Sequence, residues 1–519
     1  MDEENQLFQA SLKLLAKTSL FVSLGFVLSK IMSYIYRIAV ARAFGAEDYG
    51  AFSLALMIAT LGIAIASFGL PEGLVRYIAF YRGAKDIASI RYTVKNVLIF
   101  LLISSSILSL LLFMFSDMIA VSFFKDLRLS LFLKLLSFFI PIAIFSNAFL
   151  SIIRAFEKIN WYSFINNIFG NGVRIGVFFA LVLWGVGNSS IIVSYGLGWL
   201  AIGIFSFVVW KQAIPESFGE SGIGKEKKRK IVKEVYAYSW PLMFFASLSS
   251  IFYWMDSLAL GYFKGVAEVG FYNAAVPIAF IFNIAPEIFI QLFFPMVSKE
   301  FSRKNFHVVK ELSKQVGKWI FILNVPLFVL IFLYPGAFIN ILFGPEYIVA
   351  ANALRILMVG TFVSSLLIIS SNLLSMIGKS KLILFNIIAA SLLNFVLNAV
   401  LIPRYGLEGA ATATTISLIA LNIALLFEAR HYTSIVPLRR KLLRVVLVSS
   451  LPTVVLVFVK QFIHLSLFTM ILQGLLFLFL YIFLIIMTGC LDKNDLAVLE
   501  GIKRAYHKRR FAKRVNPEE

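Results

Sequence analysis

The residues of this 519-residue chain that could do chemistry are a handful of charges in apolar surroundings. Lys30 and Arg37 lie seven positions apart in one apolar run. On a helix that spacing puts them on one face, about 10 Å apart along the axis. Two cations so placed suit one extended anion or two phosphates. Arg42 follows near the end of the same run, Glu72 comes after Pro71 in the next, and Arg174 stands in a later one. Asp256 lies in Tyr253-Trp-Met-Asp-Ser, and Glu287 follows Pro286 with Gln291 one turn on. A charge at bilayer depth costs about 3 kcal/mol on insertion scales, so such residues face a cavity or a partner. Lys30, Arg37, Arg42, Glu72, Arg174, Asp256 and Glu287 therefore read as lining a site for a polar, anionic substrate. Structural readings compete: Arg42 can snorkel to the interface, and the deeper cations can pair with Glu72. A buried acid such as Asp256 is also a device for coupling to H+ or Na+, since its charge can be neutralised in one state and exposed in another. Asn394 and Asn398, at i and i+4, share a second helix face. The small residues Gly409, Ala410, Ala411 and Ala413 let the next helix approach closely. Carboxamide, hydroxyl and carboxylate oxygens suit a hard cation such as Na+, and interhelical hydrogen bonding accounts for the asparagines equally well.

The elements that hold these residues are spanning helices. Hydrophobic residues make up 60% of the chain and charged residues 14%, against about 25% charged in soluble domains. With a mean hydropathy of +0.88, this is a polytopic membrane protein of all-α class, and a soluble or disordered chain is excluded. The single cysteine, Cys490, excludes a disulfide framework, a cysteine zinc site and an iron–sulfur cluster. A span needs about 20 mostly apolar residues. That rule predicts fourteen helices, near 18–41, 50–73, 95–116, 130–153, 162–185, 190–210, 236–261, 270–297, 318–343, 351–376, 381–402, 409–428, 443–463 and 466–489. The first reads as a retained helix and not a signal peptide, because no small-residue cleavage site follows it.

Lys+Arg 48 against Asp+Glu 27 gives a net charge of +21. Placing both termini in the cytoplasm puts most basic residues on one side: Arg76, Arg82, Lys85 and Arg91, Arg154 and Lys158, the run Lys225–Lys233, Lys299–Lys318, Lys379 and Lys381, Arg439–Arg444 and the tail. The segment Gly185–Ser190 on the other side carries no charge. The surplus thus follows the positive-inside rule. The tail is expected to meet anionic lipid, with no nucleic acid involved. The expected location is the plasma membrane, multi-pass. External loops are short, so any chemistry occurs within the membrane or at its surfaces.

The halves resemble each other at an offset of roughly 220 residues. Phe44-Gly-Ala-Glu-Asp-Tyr-Gly matches Phe263-Lys-Gly-Val-Ala-Glu-Val-Gly with one residue inserted. Leu70-Pro-Glu-Gly matches Ala285-Pro-Glu-Ile, and Phe156-Glu-Lys-Ile-Asn matches Ile377-Gly-Lys-Ser-Lys. The expected organisation is a six-helix lobe over 1–212, a basic cytoplasmic linker over 213–235 and a second six-helix lobe over 236–430. Two further helices over 431–490 and a basic tail over 491–519 complete it. Two parallel lobes with a pathway between them are the plan of a transporter. Each Pro-Glu predicts a kink inside its helix, beside a cavity.

The stretch Asn394–Thr414 resembles the helix 11–12 signature of the polysaccharide-transporter branch of the MOP superfamily, which holds the Wzx-type O-antigen flippases, the SpoVB-like proteins and the MurJ-like flippases. Asp256-Ser-Leu-Ala-Leu-Gly-Tyr-Phe with Val269-Gly-Phe-Tyr-Asn-Ala-Ala is similar to that family's helix 7–8 junction. Ser29-Lys30, Val40-Ala-Arg-Ala-Phe-Gly-Ala46 and Glu72-Gly73 resemble the start of MurJ-like chains. The resemblance implies a non-enzymatic flippase that moves a lipid-linked oligosaccharide on a polyprenyl-phosphate-type carrier from the cytoplasmic to the external leaflet. Alternating access would drive it, for cell-surface polysaccharide synthesis. It implies a substrate-binding role for Lys30 and a Na+ or H+ coupling site at Asp256, Asn394, Asn398 and Thr414, with a backbone carbonyl near Ala410. No other cofactor is implied, and glycosyltransferases and membrane lipids are the partners it suggests. The chain departs from the pattern at Asn398, where MurJ-like chains have aspartate, and at Tyr36, where they have arginine and this chain has Arg37 next door. Tyr36, Tyr253 and Trp254 are candidates to stack on sugar rings. The competing classes are a MATE-like cation-coupled drug antiporter, which predicts twelve helices and a less cationic cavity, and an intramembrane glycan polymerase or ligase, which predicts a large external loop.

Overall fold

The computed structural model describes residues 2–437, 441–462 and 467–490, and among them every regular element is helical. The first half holds α1 (Asp2–Ala66), α2 (Leu70–Gly83), α3 (Ile87–Asp117), α4 (Leu127–Ala155), α5 (Ile159–Ser163), α6 (Gly170–Leu183) and α7 (Ser189–Ala213). The second holds α8 (Lys225–Phe263), α9 (Val266–Ala279), α10 (Ile284–Ser302), α11 (Phe306–Leu333), α12 (Pro335–Leu342), α13 (Ala351–Met376) and α14 (Ser380–Thr433). Helices α15 (Lys441–Phe462) and α16 (Leu467–Met487) follow. In lipid no water satisfies backbone groups, which is why apolar stretches this long fold as helices.

Twelve helical runs among the described residues are long and apolar enough to span a membrane, against the fourteen expected. Two runs each take in two of the expected segments. Val27–Ala66 is broken at Gly45 (φ 79°, ψ −179°), and Ser380–Thr433 at Gly406 (φ 53°, ψ −125°). Positive φ without a Cβ penalty is the property of glycine used at both breaks. The basic tail and Arg439–Arg440 lie outside the described residues.

The internal repeat has a backbone signature. Left-handed residues recur in pairs: Gly45 and Gly265, Lys85 and Lys304, Lys125 and Gly344, Glu157 and Gly378, Gly185 and Gly406. The separations, 265 − 45, 304 − 85, 344 − 125, 378 − 157 and 406 − 185, are 220, 219, 219, 221 and 221 residues. Two chains of turns with the same spacing fold into two similar bundles.

Of the two Pro-Glu pairs, the first does not lie inside a helix as expected and the second does. Helix α1 stops at Ala66, Phe68 (φ 51°) and Gly69 (φ 66°) turn the chain, and Pro71 enters the first turn of α2. In the second half Pro286 lies inside one helical run, Val266–Ile290, which tightens into a 3-10 turn at Phe280–Asn283 just before it, the distortion an interior proline produces. Pro71 belongs at the start of α2 because the N–H it lacks has no intrahelical acceptor in a first turn.

The halves meet along α1. It packs chiefly on α9 and also on α8 and α10, while α2 packs on α8. Helices α15 and α16 pack on each other and on α11. Tyr481 Oη donates to Ile322 O (2.9 Å), and Lys460 Nζ to Leu333 O (2.8 Å). One end of the bundle gathers the turns near Gly45: Asn188 Nδ2 donates to Asp48 Oδ2 (2.7 Å), and Arg128 pairs with Glu47. The opposite end gathers basic turns. There Arg82 pairs with Glu157 (2.5 Å) and Lys227 with Asp86 (2.6 Å).

Candidate inter-lobe binding site and cation cluster

One face of α1 presents Lys30, Tyr34 and Arg37 at spacings of four and three, which stack on a helix. Lys30 is exposed and interacts electrostatically with Glu287 on α10. Tyr34 lies within electrostatic reach of Arg37, Glu287 and Tyr253. The Arg37 guanidinium lies within electrostatic reach of Tyr49, Tyr253 and Tyr195. Tyr253, from α8, is half exposed. Two cations, one carboxylate and two phenols, drawn from both halves, therefore share one inter-lobe site. Guanidinium, ammonium and phenol are donors, so the face offers hydrogen bonds and positive charge to phosphate oxygens. The carboxylate and phenols can serve sugar hydroxyls.

Beside it, Asp256 is buried at 6% exposure and takes four donors. Tyr272 Oη and Asn398 Nδ2 each lie 2.7 Å from a carboxylate oxygen, and Asn394 Nδ2 lies 3.2 Å away. Thr414 Oγ1 also donates to it. Asn398 Nδ2 further bonds Asn394 Oδ1 at 3.0 Å. The elements explain the convergence. Asn394 and Asn398 lie before the Gly406 break in α14 and Thr414 lies after it, so the bend folds both arms onto α8. Gly409 permits this: a Cβ there would sit 2.4 Å from Leu401 O. A cavity of about 80 Å³ opens beside the carboxylate, lined in part by Tyr253, Trp254, Tyr272, Asn273 and Thr414.

The residues of this cluster fit a hard cation in one respect that the structure makes specific. Asn398 Oδ1 is buried and has no hydrogen-bond partner, and an unpaired buried carboxamide oxygen next to a carboxylate is an oxygen ligand in waiting. All the side chains converging on it are oxygen-bearing, with no thiolate or imidazole, and among the described residues no cluster of three His, Cys, Asp or Glu exists.

Three expected site residues stand elsewhere. Arg42 is a clasp between the halves: its Nε donates to Leu342 O (2.8 Å) and a terminal nitrogen to Ile341 O (2.5 Å) and Asn340 O (3.5 Å), the last carbonyls of α12. A helix C-terminus with unpaired carbonyls attracts a cation. Glu72 pairs with Arg154 of α4 (2.5 Å) within the first half. Arg174 is buried inside that half, 3.6 Å over the Tyr195 ring and bonded to Asn171 Oδ1 (3.4 Å). Its charge is taken up by an aromatic face instead of facing a chamber. Tyr36 is likewise enclosed, donating to Ile191 O (2.7 Å) among Phe52, Phe178 and Tyr195. Sequence reading passed over Tyr34, Tyr49, Tyr272 and Asn273. The signal for Tyr34 was its place between Lys30 and Arg37 on one face. The other three lie in stretches quoted for the repeat and for the family resemblance, but spacing gave them no role because their partners come from the other half or the neighbouring helix.

A multi-pass bundle with two similar halves and a charged site between them is the arrangement of a membrane transporter of the MOP superfamily. Residues 15–301 match the family described as "Polysaccharide biosynthesis protein", and residues 241–400 match the MatE family. The chain belongs to the polysaccharide biosynthesis protein family, a branch of that superfamily. It is 27% identical to the uncharacterized membrane protein MJ1068 of Methanocaldococcus jannaschii, covering 88% of this chain and 92% of that one. It is 25% identical to a protein assigned as an O-antigen transporter in Shigella flexneri, over 73% and 89% of the two chains. Its fold is similar to that of the lipid II flippase MurJ in an inward closed conformation, with a TM-score of 0.70 at 16% identity over 91% of this chain and 99% of that one.

Proposed function

We propose that this protein flips a lipid-linked oligosaccharide, carried on a polyprenyl phosphate or diphosphate, from the cytoplasmic to the external leaflet by alternating access. The observation that carries this reading is the Lys30–Tyr34–Arg37 face opposed by Tyr253 and Glu287 from the other half. The phosphates take Lys30 and Arg37, which are spaced for two anionic groups. The glycan takes Glu287, Tyr34 and Tyr253. The polyprenyl tail stays in lipid, where its transfer costs nothing. Positive-inside bias puts the Arg82 end in the cytoplasm of the plasma membrane, with the Gly45 end outside. The lobes over 1–212 and 236–430 move against each other, joined by the linker 213–235, while 431–490 stands apart from the repeat. The names of the O-antigen transporter and the flippase that this chain is similar to support the substrate class.

Asp256, Asn394, Asn398 and Thr414 would hold the coupling cation, Na+ or H+. When bound, it would neutralise the buried Asp256 carboxylate. The chain's own part is to hold that carboxylate in place through Tyr272 and Thr414, away from bulk water. The MatE match over 241–400 and the same cluster favour a second reading, cation-coupled export of a drug.

The test is leaflet-to-leaflet transfer of a fluorescent polyprenyl-diphosphate oligosaccharide in proteoliposomes. Removing a charge-assisted bond costs about 1.5–3 kcal/mol. Arg37→Ala and Lys30→Ala are therefore expected to slow transfer by about tenfold or more each, in protein that still inserts and folds. Wild-type rates in both variants refute the reading. Transport of cationic drugs with no transfer of the lipid selects the second.

A further inference from the structure

At the Arg82 end the two halves repeat one backbone and differ in what holds it. In the first half the turn after α2 is clasped to the turn after α4. Arg82 pairs with Glu157 (2.5 Å) and donates to Ala155 O (3.2 Å). The second half has the same two turns: Lys304 keeps the left-handed conformation of Lys85, and Gly378 that of Glu157. It lacks the clasp. By the same offsets as the turns themselves, Phe301 takes the place of Arg82, Gly378 that of Glu157 and Lys379 that of Lys158. Both partners of the ion pair are gone, and the lysine beside them stays.

A cavity of about 450 Å³ lies between these two turns and the end of α14. Phe301, Phe306, Met376 and Ile377 give it apolar walls, and Lys379 and Tyr432 give it a cation over an aromatic ring, Nζ 4.6 Å from the ring centroid. Phe306, Tyr432 and Lys379 are exposed, so the cavity opens at the surface of the bundle. None of the residues lining it is acidic. Glu300, the acid nearest Phe301 in sequence, already accepts from Arg303 (3.4 Å) and Asn305 (2.7 Å). The volume is that of a pocket for an organic ligand, and far more than an inorganic phosphate fills.

We propose that this cavity binds the headgroup of an anionic glycerophospholipid in the leaflet at the Arg82 end, which is cytoplasmic in the orientation given above. Charge selects the ligand. One ammonium with no acid beside it matches the single charge of a phosphodiester, whereas the inter-lobe site offers two cations. A zwitterionic lipid brings its own ammonium and finds no carboxylate in the walls to receive it. The apolar walls take the glycerol and the first acyl carbons, and exposed aromatic rings sit well at headgroup level. The bound lipid touches both turns at once, so it does for the second half what the Arg82–Glu157 pair does for the first. The clasp there is a lipid, and it can exchange.

The experiment places the full chain in phosphatidylcholine nanodiscs with a phosphatidylglycerol that carries a photoactivatable group next to its headgroup. Peptide mass spectrometry reads the crosslinks, and unlabelled lipids compete for them. The label is expected on 301–306, 376–379 and 432–435, displaced by phosphatidylglycerol and not by phosphatidylethanolamine. Lys379→Gln is expected to weaken that binding about tenfold or more, the worth of a charge-assisted contact, and Lys379→Arg to keep it. Met376→Trp, which fills the cavity and leaves the charge, should weaken it as far. Lys158→Gln removes the same charge from the equivalent turn of the first half, where the Arg82–Glu157 pair closes the gap, and should change nothing. Labelling kept at the wild-type level in folded Lys379→Gln or Met376→Trp protein, or lost equally in Lys158→Gln, overturns the site. Equal competition by phosphatidylethanolamine overturns the charge selection. Displacement by inorganic phosphate assigns the site to a free anion, and stronger displacement by undecaprenyl phosphate assigns it to the carrier lipid; either result overturns the phospholipid.

Discussion

The crossing of α1 and α9 offers the sharpest test of how the two halves move. Gly270→Ala adds one methyl group 2.1 Å from Ala46 O and 2.9 Å from its carbonyl carbon. A carbon–oxygen contact normally sits near 3.3 Å, so the helices must part by about 1.2 Å there. Gly50→Ala asks for about 1.5 Å on the same basis, against Val266 O. Neither clash can be relieved by turning a side chain, because the atoms struck are backbone. Overpacking of this kind costs about 1–3 kcal/mol, and the cost falls on the state in which the Gly45 end is closed. The closed state should lose about 5- to 150-fold in population relative to the open one. Spin labels at Val186→Cys and Ile348→Cys, exposed positions at that end in the two halves, with Cys490→Ser to remove the native thiol, report the separation by double electron–electron resonance. A longer-distance population should appear in each glycine variant. In the double variant the gain should be less than additive, since both methyl groups act on one crossing. Gly83→Ala, where a Cβ meets nothing within 4 Å, is the silent control. Distance distributions that superimpose on the wild type in folded Gly50→Ala and Gly270→Ala protein would refute the argument.

Arg42→Gln removes the charge from the C-terminus of α12 and should enlarge the same long-distance population by about tenfold, the worth of about 1.5 kcal/mol of charge-assisted bonding. Arg174→Met keeps most of the packed volume and gives up the stacking on Tyr195, so it should lower unfolding stability by about 2 kcal/mol in a thermal melt; a lowered diphosphate-lipid affinity with unchanged stability would return Arg174 to the binding site. At the Arg82 end, the Lys227 ammonium and the Ser89 donors hold the Asp86 carboxyl below its ordinary value. A depressed folded-state pKa adds stability above the unfolded value that is lost as pH falls through the folded one. Lys227→Ala should move the Asp86 titration upward, toward the ordinary aspartate value, in carbon-detected NMR, and remove stability at neutral pH while flattening its loss in acid; an unmoved titration would sink the assignment.

Much of this architecture is legible in the sequence, for a physical reason: a bilayer forces every apolar stretch of sufficient length into one kind of element. The helices, the 220-residue repeat and the face shared by Lys30 and Arg37 follow from spacing alone. Spacing is silent on partners. Arg42 and Arg174 looked alike as cations near or within apolar runs, yet one caps α12 across the two halves and the other stacks on Tyr195. Pro71-Glu72 looked like an interior kink because the left-handed turn at Phe68 and Gly69, two residues before the proline, leaves no hydropathy signature. The count of runs came out at twelve because two glycines break the backbone without interrupting the helical ladder on either side.

What the amino-acid order determined by itself is the class of protein, its doubled plan and the inventory of charges within apolar stretches, since all three rest on local hydrophobicity and periodicity. Only the tertiary structure decided which charges meet. The bend at Gly406 folds Asn394, Asn398 and Thr414 onto Asp256, and the glycine crossing brings Tyr49 to Asn273 across more than two hundred residues of chain. Hydrogen bonds reach about 3 Å, and no pattern along a sequence says which groups, so far apart in the chain, will come that close.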